Sequence, residues 1–141
     1  MVEDSPGTEA SRVVFDTDIL IWYFRGNEGA RRFLARVPYP HRTISSLSVM
    51  ELLQGCRDQD EARRVKAFVA DNLAAVLHPD EAVSRRAIAL LERHALSHGL
   101  RVVDALIAAA ALENGSVLAT ANLRHYRALP GLSLLAFKPR S

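Results

Sequence analysis

The apolar positions change period several times along the chain, and each change predicts an element. Arg12–Phe15 (RVVF) is a short β-branched and aromatic run ending at Asp16, which predicts a first strand. Ile19–Phe24 is continuously apolar and predicts the start of a helix. Glu28–Arg36 is amphipathic and stops before Pro38. Arg42–Ser45 (RTIS) reads as a weak strand and Ser48–Cys56 as a helix. Within Glu61–Asn72, Val65, Phe68 and Val69 fall on one helical stripe. Ala75–Leu77 is a third short strand. Pro79 suits a helix start. Val83, Ala87, Leu90, Leu91 and Ala95 carry that helix to Ser97, and Gly99 ends it. Val103–Glu113 is apolar nearly all round, the pattern of a buried helix, and Asn114-Gly115 closes it. Ser116–Ala119 (SVLA) and Leu132–Ala136 complete the strands. Strands separated by helices imply right-handed crossovers and a mainly parallel sheet covered on both faces, an α/β class.

Composition narrows this picture without redirecting it. A chain of 141 residues with 49% apolar and 24% charged residues has the makeup of one globular domain, not of a disordered tract or a rod. We expect a tail over 1–11, one domain over 12–137 and a short tail over 138–141. One cysteine, Cys56, excludes an internal disulfide and suits a reducing compartment. The longest apolar run, Ala105–Leu112, is far below the roughly 18 residues of a membrane span. The start, MVEDSPGTEAS, has no apolar stretch of a secretory signal, so a cytoplasmic location is expected. The net charge is +2, and 16 of the 18 basic residues are arginine. That bias is compatible with phosphate contacts and equally with solvated helix faces.

In an open α/β sheet, ligands bind beyond the carboxyl ends of the strands. Asp16 follows RVVF, Glu51 is expected in the first turn of the helix after RTIS, Asp104 opens the buried helix, and Thr120 and Asn122 follow SVLA. Each has a plain structural use as a helix cap or turn residue, with Ser48–Glu51 as a capping box. Taken together, three acids at one sheet edge repel one another unless a cation lies between them. Oxygen ligands point to a hard cation, Mg²⁺ or Mn²⁺, and hence to metal-assisted phosphodiester hydrolysis. The five histidines are read as containing no metal-binding pair, which disfavours zinc.

Three segments then resemble a known family. VVFDTDILIWYFRG, SSLSVMELLQG and GLRVVDALIAAAALENGSVLATANLRHY are similar to the motifs of PIN-domain proteins, most of all to VapC-type toxins. The resemblance spans roughly residues 12–136. It implies a three-layer α/β/α sandwich around a parallel sheet and a Mg²⁺- or Mn²⁺-dependent ribonuclease acting on RNA. It also implies a small VapB-like antitoxin partner and a homodimer. By position, the family's acidic set falls on Asp16, Glu51 and Asp104 as metal ligands, with Thr120 and Asn122 completing the catalytic group. Asn122 supplies no charge where relatives carry Asn or Asp. Asp18, often Ser or Asn in relatives, is expected to cap a helix. Two other readings stay open: a PIN-like module that binds RNA or protein without cutting, and a phosphatase using Asp16 in a DxD motif. The phosphatase would need a lysine near the phosphate, and Lys66 and Lys138 are poorly placed for it. The run Ile19–Phe24 is too apolar for one buried helix stripe, so part of it, with Trp22 as anchor, is expected to face a partner groove.

Overall fold

Asp16 ends the first strand and starts the first helix at once. Its side chain accepts a hydrogen bond from the Thr17 amide, so β1 (Val13–Phe15) passes directly into α1 (Thr17–Phe24). This is a computed structural model describing residues 11–139; of the tails expected over 1–11 and 138–141, residues 1–10 and 140–141 lie outside the described residues. α2 (Glu28–Arg36) begins where Asn27 Oδ1 accepts from the Ala30 amide. A 3₁₀ turn, Tyr39–His41, leads to β2 (Arg42–Ser45). There follow α3 (Ser46–Gln54), α4 (Gln59–Asn72), β3 (Ala75–Leu77), α5 (Glu81–His98), α6 (Val102–Glu113), β4 (Val117–Thr120), α7 (Leu123–Tyr126) and β5 (Leu134–Ala136).

Several boundaries differ from the sequence reading because side-chain caps decide them. Ser45 caps α3, accepting from the Leu47 amide. The helix therefore starts at Ser46, the Ser48–Glu51 capping box is not the start of α3, and Glu51 lies in the second turn. Asp58 caps α4 and Asp80 caps α5, one residue beyond Pro79. Gly99 ends α5 at φ +67°, a left-handed conformation that favours glycine. The one-turn helix α7 shows no apolar periodicity and was not expected.

The five strands are all parallel, in the order β3-β2-β1-β4-β5. From β1 the chain winds outward through β2 to β3, then returns to place β4 on the other side of β1. The order reverses between β1 and β4, and such a reversal opens a crevice at the carboxyl ends of those strands.

Alternate residues of β1 face opposite layers. Phe15 points to one core with Ile19, Leu20, Leu34, Ile44 and Phe68 from α1 to α4 and β2. Val14 points to the other, with Val83, Leu90, Ile107, Leu118 and Tyr126, under α5, α6 and α7. This is the expected three-layer α/β/α sandwich. Alanines 108, 109 and 111 of α6 are fully or almost fully buried, and their small side chains let that helix lie close to the sheet. The packing holds the amino end of α6, with Asp104, beside the crevice.

Candidate active site at the carboxyl ends of β1 and β4

Asp16, 7% exposed, lies at the reversal point. Its Oδ1 accepts from the Thr17 amide at 2.8 Å and its Oδ2 from the Thr120 hydroxyl at 2.8 Å. So Asp16 caps α1 through Oδ1 while its Oδ2 is turned to Thr120 in the crevice. Burial, with a further push from the charge of Asp18, raises its pKa from 3.8 to about 7.

Asp18 does not cap α1, contrary to expectation; the cap is Asp16. It sits in the first turn and reaches across to the loop after β4. Its Oδ2 accepts from the Ala121 amide at 3.1 Å and lies 3.3 Å from Thr120 Oγ1. Its Oδ1 is buried without a hydrogen-bond partner. Burial pushes its pKa up as well, and the nearby charge of Asp104 adds to this.

Thr120, with no exposed surface, is the hub of the crevice. Its hydroxyl serves Asp16, lies near Asp18 and accepts from the Asn122 amide at 2.9 Å. Asn122 precedes α7 but its side chain makes no cap bond there. Its Nδ2 lies 3.1 Å from His125 Nδ1.

Asp104 is the third residue of α6 and makes no cap bond, so the cap reading fails for it. The Tyr126 hydroxyl donates to its Oδ1 at 3.3 Å, and His125 Nδ1 lies 3.6 Å from its Oδ2. Tyr126 is almost wholly buried. Desolvation first, then the charges of Asp16 and Asp104, push its pKa upward, so it stays a hydroxyl donor. Arg101, the one cation near Asp104 in sequence, forms no ion pair with it. Among the described residues no lysine or arginine pairs with Asp16, Asp18 or Asp104.

Glu51 stands at the exposed rim. Thr17 Oγ1 lies 2.6 Å from its Oε1 and 2.8 Å from Ser48 Oγ. With one proton to give, Thr17 donates to the carboxylate and accepts from Ser48. A relay from α1 and α3 thus positions the second-turn glutamate. Ser48 is expected from sequence only as a capping residue, and Thr17, His125 and Tyr126 carry no sequence signal as site residues. Their neighbours in the motifs carried the signal, but nothing local marks a hydroxyl as aimed at a distant carboxylate.

The donor set is all oxygen, as a hard cation requires. Among the described residues no three His, Cys, Asp or Glu side chains stand close enough together to hold one ion by themselves. Mg²⁺ takes one or two carboxylates and keeps several waters, and the orphaned Asp18 Oδ1 is an acceptor lacking what such a shell supplies. The site therefore fits a partly hydrated cation. One sequence reading needs correction: His94 and His98 are a pair at helical spacing, with ring centroids 5.4 Å apart. Ser97 Oγ lies 2.7 Å from His98 Nδ1, so that nitrogen is engaged, and no third ligand joins them among the described residues.

Beside Glu51 a groove of about 600 Å³ runs between α1, α3 and α4. Ile21 and Phe24 line it, each 39% exposed, with Leu52 and Val65 below and Arg25, Arg57 and Arg64 around it. The expected anchor, Trp22, does not line this groove. It is partly buried against the α1–α4 core, with the Arg25 guanidinium 5.6 Å from its ring. Helical spacing explains this: Ile21 and Phe24, three apart, share the outward face.

A family model described as the PIN domain matches residues 13–129. No curated protein matches. Among solved structures, a toxin–antitoxin complex from Klebsiella pneumoniae is similar at 25% identity and TM-score 0.73, over 88% of this chain and 96% of that one. A DNA-bound VapBC from Salmonella typhimurium is 24% identical, with TM-score 0.73, over 89% and 98%. VapBC2 from Rickettsia felis, bound to a promoter DNA fragment, is 18% identical, with TM-score 0.75, over 89% and 98%.

Proposed function

The chain belongs to the PIN-domain family, and on that premise we propose that it is a metal-dependent endoribonuclease, the toxin of a toxin–antitoxin pair. The observation that carries this is the gathering of Asp16, Asp18 and Asp104 at the β1/β4 crevice with no lysine or arginine paired to them among the described residues. Charges so placed need a cation. In the proposal Asp16 and Asp104 hold Mg²⁺ or Mn²⁺, with Glu51 completing the shell through water. When bound, such a cation stabilises charge developing on the phosphate and makes water a better nucleophile near neutral pH. Thr120 fixes the rotamer of Asp16 and the start of the Asn122 loop. Asn122, facing His125, orients water or phosphate by hydrogen bonds. Surface arginines position the RNA backbone without reading its sequence.

The test is incubation of the purified chain with RNA and Mn²⁺, followed by chelation. Cleavage that stops with chelator is the expected result. Binding without turnover would favour the non-cutting module. Dephosphorylation of small phosphate esters would favour the phosphatase, although Asp16 has no lysine among its contacts.

The partner proposed for the Ile21/Phe24 groove is an antitoxin helix laying apolar residues between α1, α3 and α4. The likeness to the Klebsiella complex supports it. Phe24→Ala is expected to weaken binding of an antitoxin encoded beside this chain by about 2 kcal/mol or more, read by calorimetry, with RNA cleavage nearly unchanged. Unaltered binding would remove the groove from the proposal. Self-association is assigned to another part of the surface, where Leu96 of α5 and Val102 of α6 stand exposed. Light scattering reads whether the chain is the dimer this implies. Among the described residues no helix is long and apolar enough to cross a membrane, and a cytoplasmic site of action is part of the proposal.

A further inference from the structure

We propose that Asp18 is a carboxylate of the cation pocket beside Asp16, supplying the charge that Asn122 does not. The inference rests on the nuclease reading and specifies the ligand set of the same site.

Asp18 is free for this role because Asp16 already caps α1. Its Oδ2 is held by the Ala121 amide at 3.1 Å, one residue before Asn122. The carboxylate of the first helix is thereby pinned to the loop on which a fourth acidic group would otherwise stand. Its Oδ1 is buried and has no hydrogen-bond partner. A buried carboxylate oxygen left unpaired is costly, and such an atom in a native site calls for an ion or water. Both Asp16 and Asp18 look to one hydroxyl, Thr120 Oγ1, at 2.8 and 3.3 Å. One proton cannot satisfy two carboxylates. A cation held at Oδ1 would balance the charge of the two carboxylates, and Asp104 is near enough for its charge to act on Asp18.

The competing role is mechanical: Asp18 as a latch tying α1 to the loop after β4. Asp18→Asn separates the two roles, because the amide oxygen can still accept from Ala121 while the charge is gone. Mn²⁺ alone is titrated calorimetrically into the full metal-free chain, with circular dichroism confirming the fold. Asp18→Asn is expected to lower Mn²⁺ affinity about tenfold or more. Adding Asn122→Asp to that variant should restore most of it. Asp18→Ser, which also removes the latch, serves as a second variant. Mn²⁺ affinity of Asp18→Asn within about twofold of the wild type, a shift too small for a lost ligand charge, would overturn the inference while leaving the nuclease reading intact. Loss of fold in both variants would also overturn it, since the carboxylate would then be structural. A wild-type chain that binds no Mn²⁺ would take both readings down together.

Discussion

Asp16→Asn is expected to abolish RNA cleavage, by at least about 100-fold, while making the metal-free protein more stable at pH 8. The stability half of this follows from burial. Asp16 has a folded pKa of about 7 against an ordinary 3.8. Between those values the native state holds a proton that the unfolded chain has released. Stability therefore falls as pH rises from about 4 to about 7 and stays low above that. The charge costs the metal-free fold on the order of 1–4 kcal/mol at pH 8. Asparagine removes the cost and keeps the contacts. Its oxygen can accept from Thr17, and its amide can donate to Thr120 Oγ1, whose own proton turns to Asp18. Thermal melts of both chains at pH 5 and pH 8, without metal, check this. The wild type should lose stability on going to pH 8 and the variant much less. A variant less stable than wild type at pH 8 would mean that the helix cap outweighs the buried charge.

Thr120→Val should be the most damaging substitution of a neutral residue in the site. Valine matches threonine in volume, so packing is preserved. It leaves Asp16 Oδ2 without its donor and the Asn122 amide without its acceptor. An unpaired buried polar group costs about 1–3 kcal/mol, and more when charged. We expect a loss of about 2–4 kcal/mol in denaturant unfolding, together with a large fall in cleavage. Thr120→Ser keeps the hydroxyl and should retain most of both. Equal losses in the two variants would assign the effect to the missing methyl group, not to hydrogen bonding.

The contrast between Asp16 and Asp18 shows how far residue patterns reach. Asp16 was legible because a β-branched run stops at it and a helical run follows. Asp18, two residues on, carries the same chemistry, yet local reasoning assigned it to a cap. Only β4, arriving beside β1 from more than a hundred residues away, brings the Ala121 amide to its Oδ2. Glu51 is legible as a candidate, but it lies one turn later than its pattern implies, because Ser45 and not Ser48 caps α3. Composition points to Trp22 over Ile21 and Phe24 because it says which residues are sticky, not which way a helix turns them.

What the chain order of apolar and polar residues determined by itself is the set of strands, most of the helices and the α/β class. These depend on periodicities of two and 3.6 that each segment carries internally. It also placed Asp16, Glu51, Asp104, Thr120 and Asn122 beside strand ends or helix starts, where a parallel sheet collects its functional groups. The tertiary structure alone decided the strand order and hence the crevice at β1 and β4. It decided that Tyr126 donates to Asp104 and that Thr17 and Ser48 hold Glu51. It decided that Thr120 is shared by two aspartates, one with an oxygen left unpaired. The reason is range: propensity and caps act over a few residues, whereas the deciding hydrogen bonds at this site join residues 22 to 104 positions apart.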